Sequence, residues 1–452
     1  MLNMRSNNGR SMFATKEWIL VAILLGIACD KQRSLGDEHH EPTPVPDAVI
    51  HRPTSIPDRI VLTWLGEPST TQAVTWRTDD RVTRPLAELA VAHAGPDLSG
   101  VARELIGTYH ALPTPLGWTA HYHTVNFTDL LPNTKYVYRV GDGVNWSEWS
   151  HFTTAKQDES EFTFVYFGDA QNDLKSRWSR VIREAYRDAP RAAFFLHAGD
   201  LVNRANRDAE WGDWHYAGGF IHRSTPCIAT PGNHEYDDDA LSKYWQPGFA
   251  FPNNGPDGLK ESVYWIDYQC ARLISLNSNE RVKDQINWLE DVLKQNQKPW
   301  TILTFHHPMY SSAQGRDNPE LRALWMPLFD KYKVDLVLQG HDHTYARSRL
   351  LTVENVATGV NIQKKEAGTM YVVSVSGPKM YSLGGRPFVR RAAENTQLYQ
   401  IVHVGPERLK YEARTATGEK YDGFTLIKRP GMHNQLVEQV PDTPERKKDK
   451  SP

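Results

Sequence analysis

The chain has 452 residues, of which 40% are hydrophobic and 23% charged, and it carries a formal net charge of −2. That length and composition support two or three folded domains with a sizeable core, while the near-neutral balance gives no electrostatic case for nucleic acid or an anionic membrane surface as the main partner. Cys29, Cys227 and Cys270 are the only cysteines and form no CxxC pair, which argues against a disulfide scaffold and against thiolate zinc; Cys227 and Cys270 stay open as one bridge in an oxidising compartment.

In chain order, Lys16 precedes an apolar run from Trp18 to Ala28. The run is short for a bilayer span, which takes about 20 residues, and matches the apolar region of a signal peptide. It ends in Gly26-Ile27-Ala28-Cys29, which resembles the lipobox of bacterial lipoproteins with Leu25 one place early. Residues 1–29 therefore read as a signal segment and Cys29 as the lipid-attachment residue, the alternative being a plain secretory signal with Cys29 incidental. The expectation is an exported protein of a bacterial periplasm or cell surface, attached to the membrane through that lipid. Residues 30–55 are polar and Pro-rich and read as a linker, in which His39 and His40 are solvated.

From 56 to 155 apolar residues alternate in IVLTWLG, QAVTWRT, HTVNFTDL and TKYVYRV, between Pro, Gly and Asp turns. That period predicts an all-β sandwich. The stretch LLPNTKYVYRVGDG resembles a fibronectin type III domain, with Tyr136 as its corner tyrosine. A charged connector, KQDESE, follows. From 160 to 429 apolar runs alternate with amphipathic helices, an α/β pattern. Trp178, Val181, Ile182, Ala185 and Tyr186 share one helical face, as do Ile286, Leu289, Val292 and Leu293, and then Leu321, Leu324, Trp325 and Leu328. Residues 430–452 end in ERKKDKSP and read as a charged, disordered tail.

The chemistry is written at the ends of the apolar runs. FTFVYF leads into Gly168-Asp169, AAFFLHA into Gly199-Asp200, PCIAT into Gly232-Asn233-His234-Glu235, WTILTF into His306-His307-Pro308, and VDLVLQ into Gly340-His341-Asp342-His343. Buried strands read as continuous apolar runs, and ligands of α/β sheets gather beyond the carboxyl ends of strands. Five such ends deliver Asp, Asp, Asn, His and two His to one place. Two cations about 3.5–4 Å apart need a bridging anion and several donors on each side. Carboxylates bridge; imidazoles and an amide oxygen fill positions without adding charge. The N/O mixture suits Fe, Zn or Mn better than Ca.

Each cluster alone is weak, but the series GD, GD, GNHE, HHP and GHDH resembles the calcineurin-like metallophosphoesterases. Together with the β-rich region before it, the chain resembles the purple acid phosphatase branch over 56–428. The resemblance implies a multidomain fold: an all-β, fibronectin type III-like sandwich, then a metallophosphoesterase domain of two β-sheets flanked by helices, an αββα sandwich. It implies two divalent or trivalent metal ions, with Asp200 bridging, Asp169 and His343 on the first, and Asn233, His306 and His341 on the second. His306 rather than His307 matches, because the family's ligand lies two places before the proline. His234 would contact phosphate or the leaving group. The implied reaction is hydrolysis of a small phosphate monoester by hydroxide generated at the dinuclear centre; a phosphodiesterase or nucleotidase on the same site is the alternative, and an inactive surface binding protein a more distant one. Three departures stand out. Asn203 occupies the place of the tyrosine whose bond to Fe(III) colours the purple enzymes. Gln171 stands where many metallophosphoesterases have a ligand histidine and the purple branch a glycine; its reach to the first metal is open. The loop SSAQGRDNPE lacks the further histidines that family members often carry there.

Overall fold

The computed structural model describes residues 42–353, 367–385, 387–429 and 431–447. The signal segment with Cys29, and His39 and His40, lie outside the described residues. Among the described residues no helix is long and apolar enough to cross a membrane.

The first domain has eight strands: β1 Asp58–Thr63, β2 Gln72–Asp79, β3 Leu86–Val91, β4 Arg103–Ile106, β5 Thr108–Pro113, β6 Thr119–Phe127, β7 Lys135–Gly141 and β8 Ser150–Thr153. They form two antiparallel sheets, β1-β2-β6-β5 and β4-β3-β7-β8. Period-2 side chains explain the layering. Ile60, Leu62, Val74, Trp76, Val125 and Phe127 face Leu89, Tyr138, Val140 and Phe152 across the sandwich. The Tyr136 hydroxyl accepts the Leu131 N–H at 2.8 Å, as a corner tyrosine does. The intervening residues of the first sheet, Val61, Leu112, Ala120 and Tyr122, belong instead to the core of the second domain. Strands β1, β2 and β6 of that sheet are thus buried on both faces, while β5 is exposed apart from Leu112.

Polar contacts pin the same seam. The Arg59 guanidinium makes a two-pronged bond to the Asp208 carboxylate, 2.8 Å to each oxygen, and Arg77 lies 3.4 Å from the same carboxylate. All three side chains are buried. The Leu62 N–H donates to the His222 carbonyl at 2.9 Å.

The second domain adds β9 Phe162–Phe167, β10 Phe195–His197, β11 Cys227–Ala229, a short hairpin of β12 Tyr236–Asp237 and β13 Ala240–Leu241, then β14 Tyr264–Tyr268, β15 Ala271–Ser275, β16 Trp300–Thr304, β17 Leu336–Gln339, β18 Tyr345–Leu351, β19 Thr369–Val373, β20 Val389–Ala393, β21 Leu398–Val404, β22 Arg408–Thr415, β23 Lys420–Ile427 and β24 Gln435–Glu438. Two seven-stranded sheets result, β11-β10-β9-β21-β22-β23-β24 and β14-β15-β16-β17-β19-β18-β20. Strands β9, β10 and β11 run parallel, as do β15, β16, β17 and β19. Alternation again sorts the faces. Leu273, Ile302, Leu336, Leu338, Met370 and Val372 join the core shared with the first sheet. Their neighbours Ile274, Leu303, Val337 and Tyr371 pack with Leu289, Val292 and Leu293 of the helix Gln285–Lys294 and with Trp325 and Phe329 of the helix Pro319–Lys331.

Three sequence expectations need correction, and the open question of the cysteine pair is decided. The linker reading of 47–55 fails: Asp47–Ile50 forms a helical turn, Asp47 pairs with Arg207 at 3.1 Å, and His51 is buried 3.8 Å from Asp213. The disordered-tail reading fails for 431–447: β24 pairs with β23, and Arg446 bridges to Ala393. Cys227 and Cys270 are both free thiols, each buried in apolar surroundings that push it up, Cys270 to about 11. In the helix Pro319–Lys331 the buried stripe is Leu321, Trp325, Met326 and Phe329, with Leu324 and Leu328 only partly covered.

One group in this core carries a pH dependence. His197 and His222 are buried and His215 is partly buried around Trp214, with the His222 ring stacked 4.0 Å from the indole. Burial pushes all three down from 6.5, His222 to about 3; Arg59 and Arg77 push His215 further down, and His197 and His222 repel each other's charge. The folded state therefore binds fewer protons than the unfolded chain between about pH 6.5 and 3. Stability is intact above that window and falls as the pH falls through it. Urea midpoints measured at pH 7, 5.5 and 4.5 are expected to decline, and to decline less steeply in His222→Phe; equal slopes for the two proteins would refute the assignment.

Candidate metal centre

The carboxyl ends of β9, β10 and β11 in one sheet face those of β16 and β17 in the other, and the loops leaving them meet. Asp169 and Asp200 are fully buried there, with exposures of 0% and 1%. Each uses one oxygen on the backbone. Asp169 Oδ2 accepts the His341 N–H at 2.7 Å, and Asp200 Oδ1 accepts the His234 N–H at 2.9 Å. The other oxygen of each turns inward, and Asp169 Oδ1 is buried with no hydrogen-bond partner among the described residues.

The histidines are fixed by carbonyls, which only accept, so the tautomers follow. His306 Nδ1 donates to the Ala198 carbonyl at 2.9 Å, leaving Nε2 inward. His343 Nδ1 donates to the Lys379 carbonyl at 2.9 Å, again leaving Nε2 inward. Two groups form. In one, Asn233 Oδ1 lies 3.1 Å from His306 Nε2 and 2.9 Å from His341 Nδ1, and Asp200 Oδ2 lies 3.2 Å from His306 Nε2. In the other, Asp169 Oδ1 lies 3.5 Å from His343 Nε2, with Asp200 as third member. Ligand atoms within each group of three Asp and His residues lie within 4.8 Å of one another, and Asp200 belongs to both. Gln171, also buried, places Nε2 2.9 Å from Asp200 Oδ2 and 3.0 Å from His343 Nε2.

Lone pairs converge here, and the field among them favours positive charge. Burial opposes charge on His306, yet Asp200 and Asp169 push that imidazole up to about 9. Burial likewise pushes Asp169 up, while Asp200, despite its burial, is held below the carboxylate range by His306 and His234. Burial, then the charge of His306, pushes His341 down; burial pushes His343 down to about 4. Two buried carboxylates, three imidazoles and an amide oxygen, one carboxylate oxygen without a partner, are the donor set of a pair of borderline divalent or trivalent ions. The residues fit the metals that the sequence implied.

The backbone is bent to reach this arrangement. Asp200, His341 and His343 have φ of 52°, 74° and 46°, the left-handed region. Two glycines make room. A Cβ on Gly232 would meet Asp200 Oδ1 at 2.2 Å, and one on Gly340 would meet Asp169 Oδ2 at 2.4 Å.

Sequence reasoning assigned no role to Glu235. Buried behind Asp200, it accepts the N–H groups of Asp200 and Leu201 at 2.8 Å, Val202 at 3.2 Å and Gly232 at 2.7 Å. Burial and the Asp200 charge push its carboxyl up to about 7. The signal was present: Glu three places after Gly232, closing the turn Asn233–Glu235, has capping-box spacing. Asp342 does similar work between the two histidines, accepting the N–H groups of Ser312 at 2.6 Å and Ala313 at 3.1 Å. His234 is half-buried at the rim, its Nδ1 donating to the Asn203 carbonyl at 2.7 Å. His307 does not join the groups through a ring nitrogen; its Nδ1 bonds Ser278 Oγ at 2.9 Å while the ring packs 4.3 Å from His341.

Residues 162–345 match the calcineurin-like phosphoesterase model, and residues 57–154 match that of the purple acid phosphatase N-terminal domain. The chain thus joins a purple acid phosphatase N-terminal domain to a calcineurin-like metallophosphoesterase domain. It is 30% identical to purple acid phosphatase 1 of Ipomoea batatas, over 54% of each chain. It is 29% identical to Fe(3+)-Zn(2+) purple acid phosphatase 12 of Arabidopsis thaliana, over 54% of this chain and 55% of that one, and 29% identical to acid phosphatase type 7 of Mus musculus, over 64% and 70%. The chain spans about half the length of the first two. In fold it is similar to purple acid phosphatase PPD1 of yellow lupin (Lupinus luteus), with a TM-score of 0.69 at 20% identity over 82% of this chain and 74% of that one. A second likeness is to PhoD, TM-score 0.62 at 14% identity over 87% and 94%.

Gly340→Ala tests the packing of the first carboxylate. The added methyl displaces Asp169 from the His341 N–H, with an expected loss of about 1–3 kcal/mol in stability and at least about a tenfold loss of metal affinity. Gly385→Ala, where an added Cβ meets nothing, is the control. Metal titration of the two variants decides it, and equal affinities would show that the carboxylate has slack.

Proposed function

We propose that this chain hydrolyses phosphate monoesters with two metal ions, drawn from Fe, Zn and Mn. Asp169 and His343 hold the first, Asn233, His306 and His341 the second, and Asp200 bridges. What supports this is one observation: side chains from five strand ends, scattered over the chain, turn their lone pairs into two groups that share Asp200. The printed name of the Arabidopsis thaliana relative carries iron and zinc for that protein. Bound there, the pair supplies Lewis acidity toward phosphoryl oxygens and a water acidic enough to ionise near neutral pH.

The chain's own residues do the rest. His306 and His343 keep their Nδ1 hydrogens on backbone carbonyls and turn Nε2 inward for ligation; His343 is neutral there, and the Nε2 proton that Asp200 and Asp169 favour on His306 would leave when a metal binds. His234, anchored through Nδ1 on Asn203, has Nε2 left for the substrate. When the ring carries two protons, that nitrogen donates to a phosphoryl oxygen or passes its proton to the departing alkoxide. Attack is in line and needs no covalent phosphoenzyme. Beside Asn233 lies an open cleft of about 1140 Å³, reached by Tyr236, Ser278, Arg281, Lys283 and His307. Its breadth exceeds what a phosphoryl group fills, and this favours a phosphodiester or nucleotide as the second reading.

The chain lacking residues before Asp30, tested on p-nitrophenyl and bis-p-nitrophenyl phosphate with Fe, Zn or Mn, is expected to turn over the monoester faster. Asp200→Ala should lose at least a thousandfold. Turnover in that variant equal to wild type would end the two-metal reading; faster diester turnover would select the second one. With Asn203 in the tyrosine's place, the iron-loaded protein is expected to show no intense visible tyrosinate band, and a purple sample would contradict that. We further propose export with lipid attachment at Cys29. Cys29→Ser should move the protein from the membrane fraction to the soluble one, and unchanged fractionation would reject the anchor.

A further inference from the structure

We propose that Gln171 is a ligand of the first metal, through its side-chain amide oxygen; this rests on the two-metal reading. Gln171 is 0% exposed and stands two residues past Asp169. Its backbone N–H donates to the Asp200 carbonyl at 3.0 Å, and that of Ala170 does so at 3.1 Å, so the residue is pinned beside the bridging position. Its amide end enters the Asp169–Asp200–His343 group, one terminal atom 2.9 Å from Asp200 Oδ2 and 3.0 Å from His343 Nε2. The other terminal atom, Oε1, is buried without a hydrogen-bond partner among the described residues.

A half-turn about the Cγ–Cδ bond exchanges the two ends at almost no steric change. Which end faces inward depends on what lies between the acceptors. Asp200 Oδ2 accepts, and His343 Nε2 is a lone pair because Nδ1 is committed to Lys379. Without positive charge they draw the NH₂ end; a cation among them draws the oxygen. Asn203, by contrast, is committed elsewhere through its backbone: its N–H donates to Glu210 at 2.7 Å and its carbonyl accepts from His234 at 2.7 Å. Position 171 thus supplies a neutral oxygen in a first site that has no tyrosinate at position 203. Two carboxylates, an imidazole and an amide carry two negative charges, which match a divalent ion better than Fe(III).

Co(II) alone is the probe. Metal-free wild type, Gln171→Leu and Gln171→Glu are titrated with Co(II), and stoichiometry, affinity and the visible d–d spectrum are read, with thermal melts to establish folding. Wild type is expected to bind two ions. Gln171→Leu should keep one at wild-type affinity, weaken the other at least about tenfold, and lose that ion's spectral component. Gln171→Glu, which restores an inward oxygen and adds charge, should bind the first ion at least as tightly as wild type with a shifted spectrum. Two ions at wild-type affinity with an unchanged spectrum in Gln171→Leu would overturn the proposal. If Gln171→Leu fails to fold, an unchanged spectrum in Gln171→Glu overturns it instead. Wild type binding fewer than two ions would be a failure of the two-metal reading itself, visible before any variant is compared.

Discussion

Two fully buried carboxylates, Asp169 and Asp200, meet at the seam between two sheets, and the surrounding structure exists to make that tolerable. An isolated buried charge costs many kcal/mol, and two of like sign raise the cost further. Backbone N–H groups of His341 and His234 neutralise one oxygen of each. Imidazoles and an amide crowd the others. The residual negative field is strong enough to raise a fully buried imidazole, His306, to about 9. Such a field is unfavourable for folding and favourable for holding cations, which is the usual trade at a functional site.

The loops obey the same constraint. Asp200 sits in the left-handed region, a cost of about 1–3 kcal/mol for a non-glycine residue. Glu235 offsets it by gathering four N–H groups, three from Asp200 to Val202 at the bend and one from Gly232 in its own loop. A third buried carboxylate beside the first two looks perverse until its partners are counted: every one is a donor fixed in the backbone. Rigidity follows. With Asp200 held by its own N–H and its neighbours', the inward oxygen has little freedom, and preorganisation of this kind is what a ligand set requires.

Most of the site was legible because its chemistry lies at strand ends, where long apolar runs such as FTFVYF and WTILTF break into Gly-Asp or His-His. Both faces of those strands are buried, so the runs are continuous and their ends sharp. What sequence could not give follows from the same physics in reverse. β24 has an intermediate burial pattern and only four residues, too little periodicity to separate it from a polar tail. The turn Asp47–Ile50 docks through a carboxylate and a histidine while Val49 and Ile50 stay exposed, so no apolar pattern marks it. Helix Pro319–Lys331 buries Met326 and Phe329, shifting its stripe by one position; a heptad-like reading of leucines missed the two larger side chains. Glu235 and Gln171 needed coordinates, since a glutamate or glutamine beside a motif gives no sign of which backbone groups it meets.

The β-sandwich contributes more than a second domain. Arg59 and Arg77 grip Asp208, the first residue of the helix Asp208–Gly218. Within that helix's first turn, Glu210 accepts the N–H groups of Asn203 and Arg204, at 2.7 and 2.9 Å. The carbonyl of Asn203 in turn fixes His234, whose own N–H holds Asp200. The links through Asp208, Glu210 and Asp200 are hydrogen bonds to carboxylates, the stronger class, and the one between Asn203 and His234 is to a backbone carbonyl. A contact chain therefore runs from the guanidinium groups of β1 and β2 to His234. Removing one partner of a buried ion pair leaves the others uncompensated, at about 3–5 kcal/mol, so the sandwich cannot drift without disturbing the loop that carries His234. The two domains share a core as well as a border, and the sandwich's arginines connect, through the first turn of the helix Asp208–Gly218, to the loop that fixes the rim histidine.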